Sequence, residues 1–140
     1  MKYKYFDHVL PKEALEIRYR VFTLEQGFAA EVDLDEKDKE SIHILVYEKD
    51  VPIATARMFL EKEGVYHIGR LAVLKEYRHK GVGSFVINAF AKKAKELGAH
   101  ELVLGSQIDK AGFYEANGFS KYGDIFDDAN YPHIMMKKSI

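Results

Sequence analysis

Residues 70–84 read RLAVLKEYRHKGVGS, and this stretch carries the strongest structural signal in the chain. The apolar triplet Leu71-Ala72-Val73 is typical of a buried strand. A cationic segment and two glycines, Gly81 and Gly83, come next. From Val82 onward, apolar residues recur at helical spacing as far as Leu97, with lysines on the opposite face. The sequence therefore predicts a strand that leads into a glycine-rich turn, and the turn opens directly into an amphipathic helix.

Such a turn is suited to binding a pyrophosphate. Glycines allow a ligand to approach the backbone closely, and the first N–H groups of a helix have no partner within it and attract anions. Arg78 and Lys80 add positive charge. A purely structural glycine turn is the alternative. The turn is neither a dinucleotide-binding Gly-x-Gly-x-x-Gly, since residue 86 is Val, nor a P-loop, which requires Gly-Lys-Ser/Thr.

Working outward from this turn, the pattern predicts a single domain over residues 1–140 with a mixed α/β sheet and helices on its faces. The predicted order is β-α-β-β-β-α-β-α-β-β. Strands are predicted at 2–7, 42–48, 52–60, 65–73, 101–105, 119–126 and 132–138. Helices are predicted from Pro11 to Gly27, over 82–97 and over 109–117, and an irregular acidic segment at 28–41.

Composition excludes several classes of protein. The 140 residues contain 21 Lys and Arg against 22 Asp and Glu, which gives a net charge of −1 and argues against nucleic acid as a partner. There is no cysteine, which excludes a disulfide scaffold, a thiolate metal site and a cysteine nucleophile. The six histidines show no metal-ligand spacing, so no metal is expected. Without a signal-peptide pattern or a long apolar run, we expect a cytoplasmic protein that does not bind membranes.

Two motifs give the chain a family resemblance. Arg78-x-x-Gly81-x-Gly83 after Leu71-Ala72-Val73, together with Phe113-Tyr114-Glu115-Ala116-Asn117-Gly118-Phe119, resembles the GNAT superfamily of acyl-CoA-dependent N-acetyltransferases. A narrower similarity is to the ElaA-like branch. It is carried by segments outside the motifs: Arg18-x-x-Val21-Phe22-x-x-Glu25-Gln26-Gly27-Phe28, Glu31-x-Asp33-x-Asp35, His43, Gln107 and Pro132-His133-Ile134-x-Met136.

The resemblance implies a GNAT-like fold, in which a mostly antiparallel twisted sheet of about six or seven strands is flanked by helices and splayed at the acyl-CoA site. It also implies transfer of an acetyl group from acetyl-CoA to a small-molecule or peptide amine, by direct attack in a ternary complex. Acetyl-CoA would be the co-substrate, and relatives often form homodimers. The alternative is an acyl-CoA sensor or interaction module that keeps the fold without turnover.

The resemblance also implies roles for particular residues. Backbone groups of Leu71 and Val73 would pair with the pantetheine arm, and the N–H of Leu71 would polarise the thioester carbonyl. Tyr114 would be the general acid for the leaving thiolate, with a packed aromatic as the alternative. The expected cofactor contacts are Leu71, Ala72, Val73, Arg78, His79, Lys80, Gly81, Val82, Gly83, Ser84, Gln107, Phe113 and Tyr114.

The general base is less well determined by the sequence. The candidates are His133 and Glu25, followed by His43, Asp33 and Asp35. Histidine titrates near neutrality and is the natural base, but His43 within an apolar strand could be a hydrogen-bonded structural residue. Glu25 could instead pair with Arg18, Arg57 or Arg70. The acidic segment at 31–40 could attract a cationic amine or could form a solvated loop.

Overall fold

The computed structural model describes all residues from 1 to 140. The chain forms seven strands and four α-helices, and the predicted element order is confirmed except for one additional short helix between the first helix and the second strand. The elements are β1 (Lys2–Asp7), α1 (Lys12–Arg18), α2 (Ala30–Asp33), β2 (Ile42–Glu48), β3 (Val51–Lys62), β4 (Val65–Val73), α3 (Val82–Glu96), β5 (Glu101–Gln107), α4 (Ala111–Ala116), β6 (Ser120–Asp128) and β7 (Tyr131–Ser139).

The strands form one sheet in the order β1-β2-β3-β4-β5-β7-β6. Every neighbouring pair is antiparallel except β4 and β5, which are parallel. The parallel pair is short, since its register runs only from Val65 opposite Glu101 to His67 opposite Val103. The remaining residues of β4 and β5 are not paired with each other. The splayed, mostly antiparallel sheet that the resemblance implies is therefore present.

Helices cover both faces of the sheet. A cluster of 20 buried residues joins one face to α3, whose Val86, Ile87 and Phe90 are fully buried. A smaller cluster joins the other face to α1 through Ala14 and Ile17. The predicted apolar stripe of α3 is correct except at Leu97, which caps the helix and is 49% exposed.

Two predicted elements differ from the structure. The first helix does not stay α-helical to Gly27: after α1, residues Tyr19–Glu25 form a π-helix. The segment at 28–41 is not irregular, since it contains α2 and a 3-10 helix at Glu36–Glu40. Neither departure has a periodicity signal in the sequence. Both depend on partners that lie far away along the chain.

Candidate active site

The splay of the sheet contains a bulge in β4. The register between β3 and β4 shifts between Thr55 opposite Ala72 and Arg57 opposite Gly69, so β4 has one residue more than β3 over this interval. Arg70 lies in the shift and has a φ of 54°, which is rare for a residue with a side chain. The bulge lies beyond the last β4–β5 pair. Backbone groups of β4 at this point are therefore available to a ligand that enters between the two strands.

The glycine turn takes the predicted form. Gly81 has a φ of 81°, and nothing lies within 4 Å of the position that a Cβ would occupy. α3 begins at the next residue, Val82, so its first N–H groups face this open space. Gly83 has a different role: a Cβ there would come within 2.8 Å of the ring of Phe113. One glycine permits the turn, and the other permits α4 to pack on the start of α3.

Arg78 is held away from the turn by other protein groups. Its Nε donates to the carbonyl oxygen of Val73 at 2.9 Å, and its Nη2 donates to Oε1 of Glu25 at 2.7 Å. Its Nη1 also donates to Oε2 of Glu25. The positive charge expected from Arg78 at the turn is thus paired with Glu25. In the turn itself, cationic charge comes from Lys80, whose Nζ lies 5.8 Å from the ring centroid of Tyr77.

Glu25 is not a free carboxylate, and it does not pair with Arg18, Arg57 or Arg70 as expected. Hydrogen bonds from Arg78 hold the pKa of Glu25 below its usual value. A carboxylate with both oxygens engaged and a lowered pKa is a poor proton acceptor. This geometry favours the ion-pair alternative for Glu25 over a role as general base, with the expected partner corrected to Arg78.

The three arginines pair instead with the acidic segment. Arg18 donates from Nε to Asp33 at 2.9 Å and from Nη1 to Asp38 at 2.8 Å. Arg57 donates from Nη1 to Asp35 at 2.6 Å and to Asp38 at 2.9 Å. Arg70 completes what we call the arginine–aspartate cluster: Arg18, Arg57, Arg70, Asp33, Asp35 and Asp38. The segment is therefore only partly a solvated loop: Asp33 and Asp38 are buried and Asp35 is paired within this cluster, while the other residues from 31 to 40 are exposed.

The cluster also affects two of the base candidates, Asp35 and His43, and the buried Asp38. Burial raises the pKa of Asp38, but hydrogen bonds and charge from Arg18 and Arg57 outweigh burial and hold the pKa at about 2. Burial also raises the pKa of Asp35, and Arg57 again reverses the direction. His43 is 1% exposed and donates from Nε2 to the carbonyl oxygen of Asp38 at 2.8 Å. Burial lowers its pKa, which keeps the imidazole neutral and structural.

His133 has the arrangement that a base requires. It pairs with Gln107 across β5 and β7, at the end of β5 where the splay opens. Its Nδ1 donates to the carbonyl oxygen of Tyr131 at 2.7 Å, which leaves the lone pair on Nε2. No protein group bonds to that Nε2. Gln107, expected to contact the cofactor, donates from Nε2 to Oε1 of Gln26 at 3.1 Å.

Tyr114 lies on α4, which follows β5 through a short 3-10 turn. Its ring packs edge-on against Phe113 at 5.0 Å and Phe119 at 5.9 Å between centroids. Both the packing role and the catalytic role remain compatible with this position, since the hydroxyl makes no hydrogen bond within the chain. Burial raises the pKa of Tyr114 to about 12, so the phenol keeps its proton at neutral pH.

Sequence reasoning missed the element that connects these groups. Residues 25–28, which we call the bridging segment, contact three parts of the site. Glu25 binds Arg78 at the turn, Gln26 binds Gln107 at the end of β5, and the ring of Phe28 lies 6.3 Å from that of Tyr131 at the start of β7. The sequence marks this segment only through Gly27, which adopts a φ of 84°, and through its part in the ElaA-like resemblance. The partners of this segment are 53 to 103 residues away in sequence, which no local pattern reveals.

No group of three or more His, Cys, Asp or Glu side chains is placed to hold a metal ion. None of the helices combines the length and the apolar character that spanning a membrane would require.

Comparison with known proteins places these features in context. A sequence model of the family described as Acetyltransferase (GNAT) matches residues 11–119. The uncharacterized N-acetyltransferase YjcF of Bacillus subtilis (strain 168) is 36% identical over 128 residues, which cover 91% of this chain and 91% of YjcF. Escherichia coli ElaA has a TM-score of 0.84 at 24% identity, covering 98% of each chain. A GNAT family acetyltransferase from Elizabethkingia anophelis with acetyl-CoA bound has a TM-score of 0.72 at 16% identity, covering 99% of this chain and 98% of the other. The fold expected from the motifs is confirmed.

Proposed function

The chain belongs to the Acetyltransferase (GNAT) family and is an acyl-CoA-dependent N-acyltransferase, and on that premise we propose that it transfers acetyl from acetyl-CoA directly to an amine in a ternary complex. The observation that carries this proposal is the divergence of β4 and β5 immediately beside the turn that opens α3. This divergence leaves room for an extended arm between two strands, at the point where unpaired helix N–H groups can bind an anion.

The residues at the turn fit a pyrophosphate. A pyrophosphate held by backbone groups needs a residue without a Cβ at the turn, and the space beside Gly81 is open. The first turn of α3 offers N–H donors. Lys80, His79 and Ser84 lie in the same turn. On β4, backbone groups of Leu71 and Val73 would pair with the pantetheine arm. Acetyl-CoA, when bound, supplies the thioester that is attacked.

His133 is the proposed general base. Its Nδ1–H is fixed on the carbonyl of Tyr131, so Nε2 is the nitrogen that can accept the proton of an attacking amine. Its pairing with Gln107 places it at the open end of the splay. The bridging segment borders the same end of the sheet. We therefore assign the acceptor amine to the side of the splay that faces His133 and Gln26.

Tyr114 is the proposed general acid. A protonated phenol is the form that can return a proton to the leaving thiolate. A pKa of about 12 makes it a weaker acid than an exposed tyrosine. Proton transfer to sulfur then follows separation of the thiolate, and the advantage of Tyr114 over water comes from its position.

The absence of cysteine supports direct attack, because the chain has no thiol to carry the acetyl group. The leaving CoA is then the only thiol released. Glu25 has a supporting role in this scheme, since it pairs with Arg78 and links the bridging segment to the turn.

The proposal is tested by measuring thiol release from acetyl-CoA with a panel of amines, polyamines, amino sugars and peptides. We expect turnover with at least one amine, and a loss of roughly 10²-fold in kcat for His133→Gln. His100→Gln is the matched control, because His100 lies at the opposite end of β5 and is exposed.

Binding of CoA without turnover on any amine would favour the sensor alternative over the enzyme. Failure to bind CoA would overturn the proposal for the turn as well. Full activity of His133→Gln would remove His133 from the reaction while leaving the proposed transfer intact.

A further inference from the structure

We propose that Arg70 is a positioning residue: its bonds to the acidic segment hold the bulge of β4 in the one conformation that directs a backbone N–H at the thioester carbonyl. The inference rests on the proposed function, because it concerns the N–H, assigned to Leu71, that would polarise that carbonyl. It assigns a catalytic purpose to the arginine–aspartate cluster, which lies outside the residues that would touch either substrate.

The backbone of Arg70 is the first part of the argument. Its φ of 54° is a left-handed conformation, which L-residues other than glycine, asparagine and aspartate seldom adopt. The next residue is Leu71. A change in the φ of Arg70 reorients the peptide plane that follows, so the direction of the Leu71 N–H depends on what holds Arg70.

The sheet does not hold it. The register with β3 breaks between Ala72 and Gly69, so neither Arg70 nor Leu71 has a pairing partner of its own on that strand: only Ala56 lies opposite the two of them. On the other side, pairing with β5 ends at His67. The bulge therefore lies where the ladder is interrupted on one edge and absent on the other.

The side chain of Arg70 supplies the missing restraint. Its Nε donates to the carbonyl oxygen of Asp33 at 3.0 Å and lies 3.2 Å from Oδ1 of Asp33. Its Nη2 donates to Oδ2 of Asp35 at 3.3 Å and to the carbonyl oxygen of Val32 at 3.4 Å. Charge-assisted bonds from one planar group to three residues fix its orientation.

The anchor is itself rigid. Asp33 is 6% exposed and is also bound by Arg18, which comes from α1. Asp35 is bound on both oxygens by Arg57, which faces Gly69 across the β3–β4 pair. The acidic segment thus binds side chains from both β3 and the bulge of β4. If the cluster only stabilised the fold, it would not need to include Arg70, the one residue of β4 with a left-handed φ.

Comparison of Arg70→Ala with Arg70→Gly separates the effect of the backbone conformation from the effect of losing the charged side chain. Both variants lose the anchor, but glycine adopts a left-handed φ without penalty and alanine does not. We expect Arg70→Ala to lose roughly 10- to 100-fold in kcat, and Arg70→Gly to recover several-fold of that loss. The affinity for CoA, measured by calorimetry, should stay within about threefold, since the turn at 78–84 is untouched.

Lys49 provides the matched control. It also has a left-handed φ, 49°, but it lies in the exposed turn between β2 and β3. Lys49→Ala and Lys49→Gly should change the stability against urea by amounts similar to those of Arg70→Ala and Arg70→Gly, with glycine again the less destabilising substitution. Both Lys49 variants should leave kcat unchanged. Asp35→Asn removes one anchor without touching β4, and we expect a several-fold loss of kcat with CoA affinity retained.

Three results would overturn the inference: wild-type kcat in Arg70→Ala, no recovery in Arg70→Gly relative to Arg70→Ala, or a loss of kcat that only parallels the loss of urea stability across all variants. If the wild-type chain turns over no amine, the proposed function fails and the anchor is tested by amide hydrogen exchange instead. Faster exchange at Leu71 in Arg70→Ala and Asp35→Asn, but not in Lys49→Ala, supports the anchor, and unchanged exchange contradicts it.

Discussion

Single residues at this site derive their protonation state from what surrounds them. Glu25 and Tyr114 were both expected to exchange protons, and the structure moves their pKa values in opposite directions. A bidentate partner lowers the pKa of Glu25, and burial raises that of Tyr114. Glu25 is therefore held as an anion and Tyr114 as a neutral phenol, and of these two side chains only the phenol has a proton to donate at neutral pH.

Tyr114→Phe removes the proposed acid with little change in volume. We expect roughly a 10²-fold loss of kcat, because water must then protonate the thiolate. Free-thiol release under saturating acetyl-CoA measures it. Tyr47→Phe is the control, since the Tyr47 hydroxyl on β2 likewise makes no hydrogen bond and lies on the far side of the sheet. Wild-type turnover by Tyr114→Phe at every pH would leave Tyr114 as a packing residue.

Glu25→Gln tests the corrected role of Glu25. The pair with Arg78 is partly exposed, so stability should change by no more than about 1 kcal/mol. We expect kcat to fall by only a few-fold, because the amide keeps the position of residue 25 but loses the charge that holds Arg78. A drop as large as that of His133→Gln in steady-state assays would restore Glu25 as the base.

At the scale of elements, the second half of the first helix matters most. In an α-helix, residues seven apart lie on one face, which places Glu25 above Arg18. The wider π-helix at Tyr19–Glu25 turns less per residue, so Arg18 is buried while Glu25 reaches Arg78. π-helical turns are frequent at functional sites. Here the π-helix places the bridging segment next to the end of β5.

The turn before α3 allows a matched pair of glycine substitutions. Gly81 and Gly98 have φ values of 81° and 90°, and neither has an atom within 4 Å of its absent Cβ. Alanine at either position should cost about 1 kcal/mol of stability in urea unfolding. Only Gly81→Ala should also weaken CoA binding, by roughly tenfold or more in calorimetry. Equal CoA affinity in the two variants would contradict the assignment of the pyrophosphate to this turn.

At the scale of the whole molecule, the arginine–aspartate cluster ties α1, the acidic segment, β3 and β4 together. The carboxylates of Asp35 and Asp38 in this cluster have lowered pKa values, so the folded state binds fewer protons than the unfolded state in acid. The stability they contribute is complete above about pH 4, the unfolded pKa, and is lost as pH falls toward about 2. His43, whose pKa burial lowers, adds an earlier loss below about pH 6.5.

Asp38→Asn should therefore lower the free energy of unfolding at pH 7 by about 3 kcal/mol or more, because Arg18 and Arg57 lose a buried partner. The difference from wild type should shrink as pH falls from 4 to 2, where the wild-type carboxylate is itself protonated. Urea unfolding across this range measures both. Glu40→Gln, in the same segment but exposed, serves as the control. A difference that does not depend on pH would contradict the lowered pKa of Asp38.

Local pattern was sufficient for most of the fold. The apolar, strand-forming runs of β2 to β4, the apolar stripe of α3 and the glycines at 81 and 83 act over a few residues, so they can be recognised from their neighbours in the sequence. The motifs at 78–83 and 113–119 located the turn and α4 for the same reason. Gln107 at the end of β5 was singled out through the family resemblance, and His133, which pairs with it from β7, as a candidate base in the last strand.

The sequence alone determined the family, the order of the seven strands and the position of the glycine turn before α3, since these follow from short-range periodicity and motif spacing. Only the tertiary structure determines which acidic side chain pairs with which arginine. Glu25 pairs with Arg78 and Arg70 with Asp33 and Asp35 because a π-helical turn and a strand bulge redirect them. These partly exposed ion pairs join residues that lie 35 to 53 positions apart in the chain, so they cannot be read from composition, which gives only the net charge of −1.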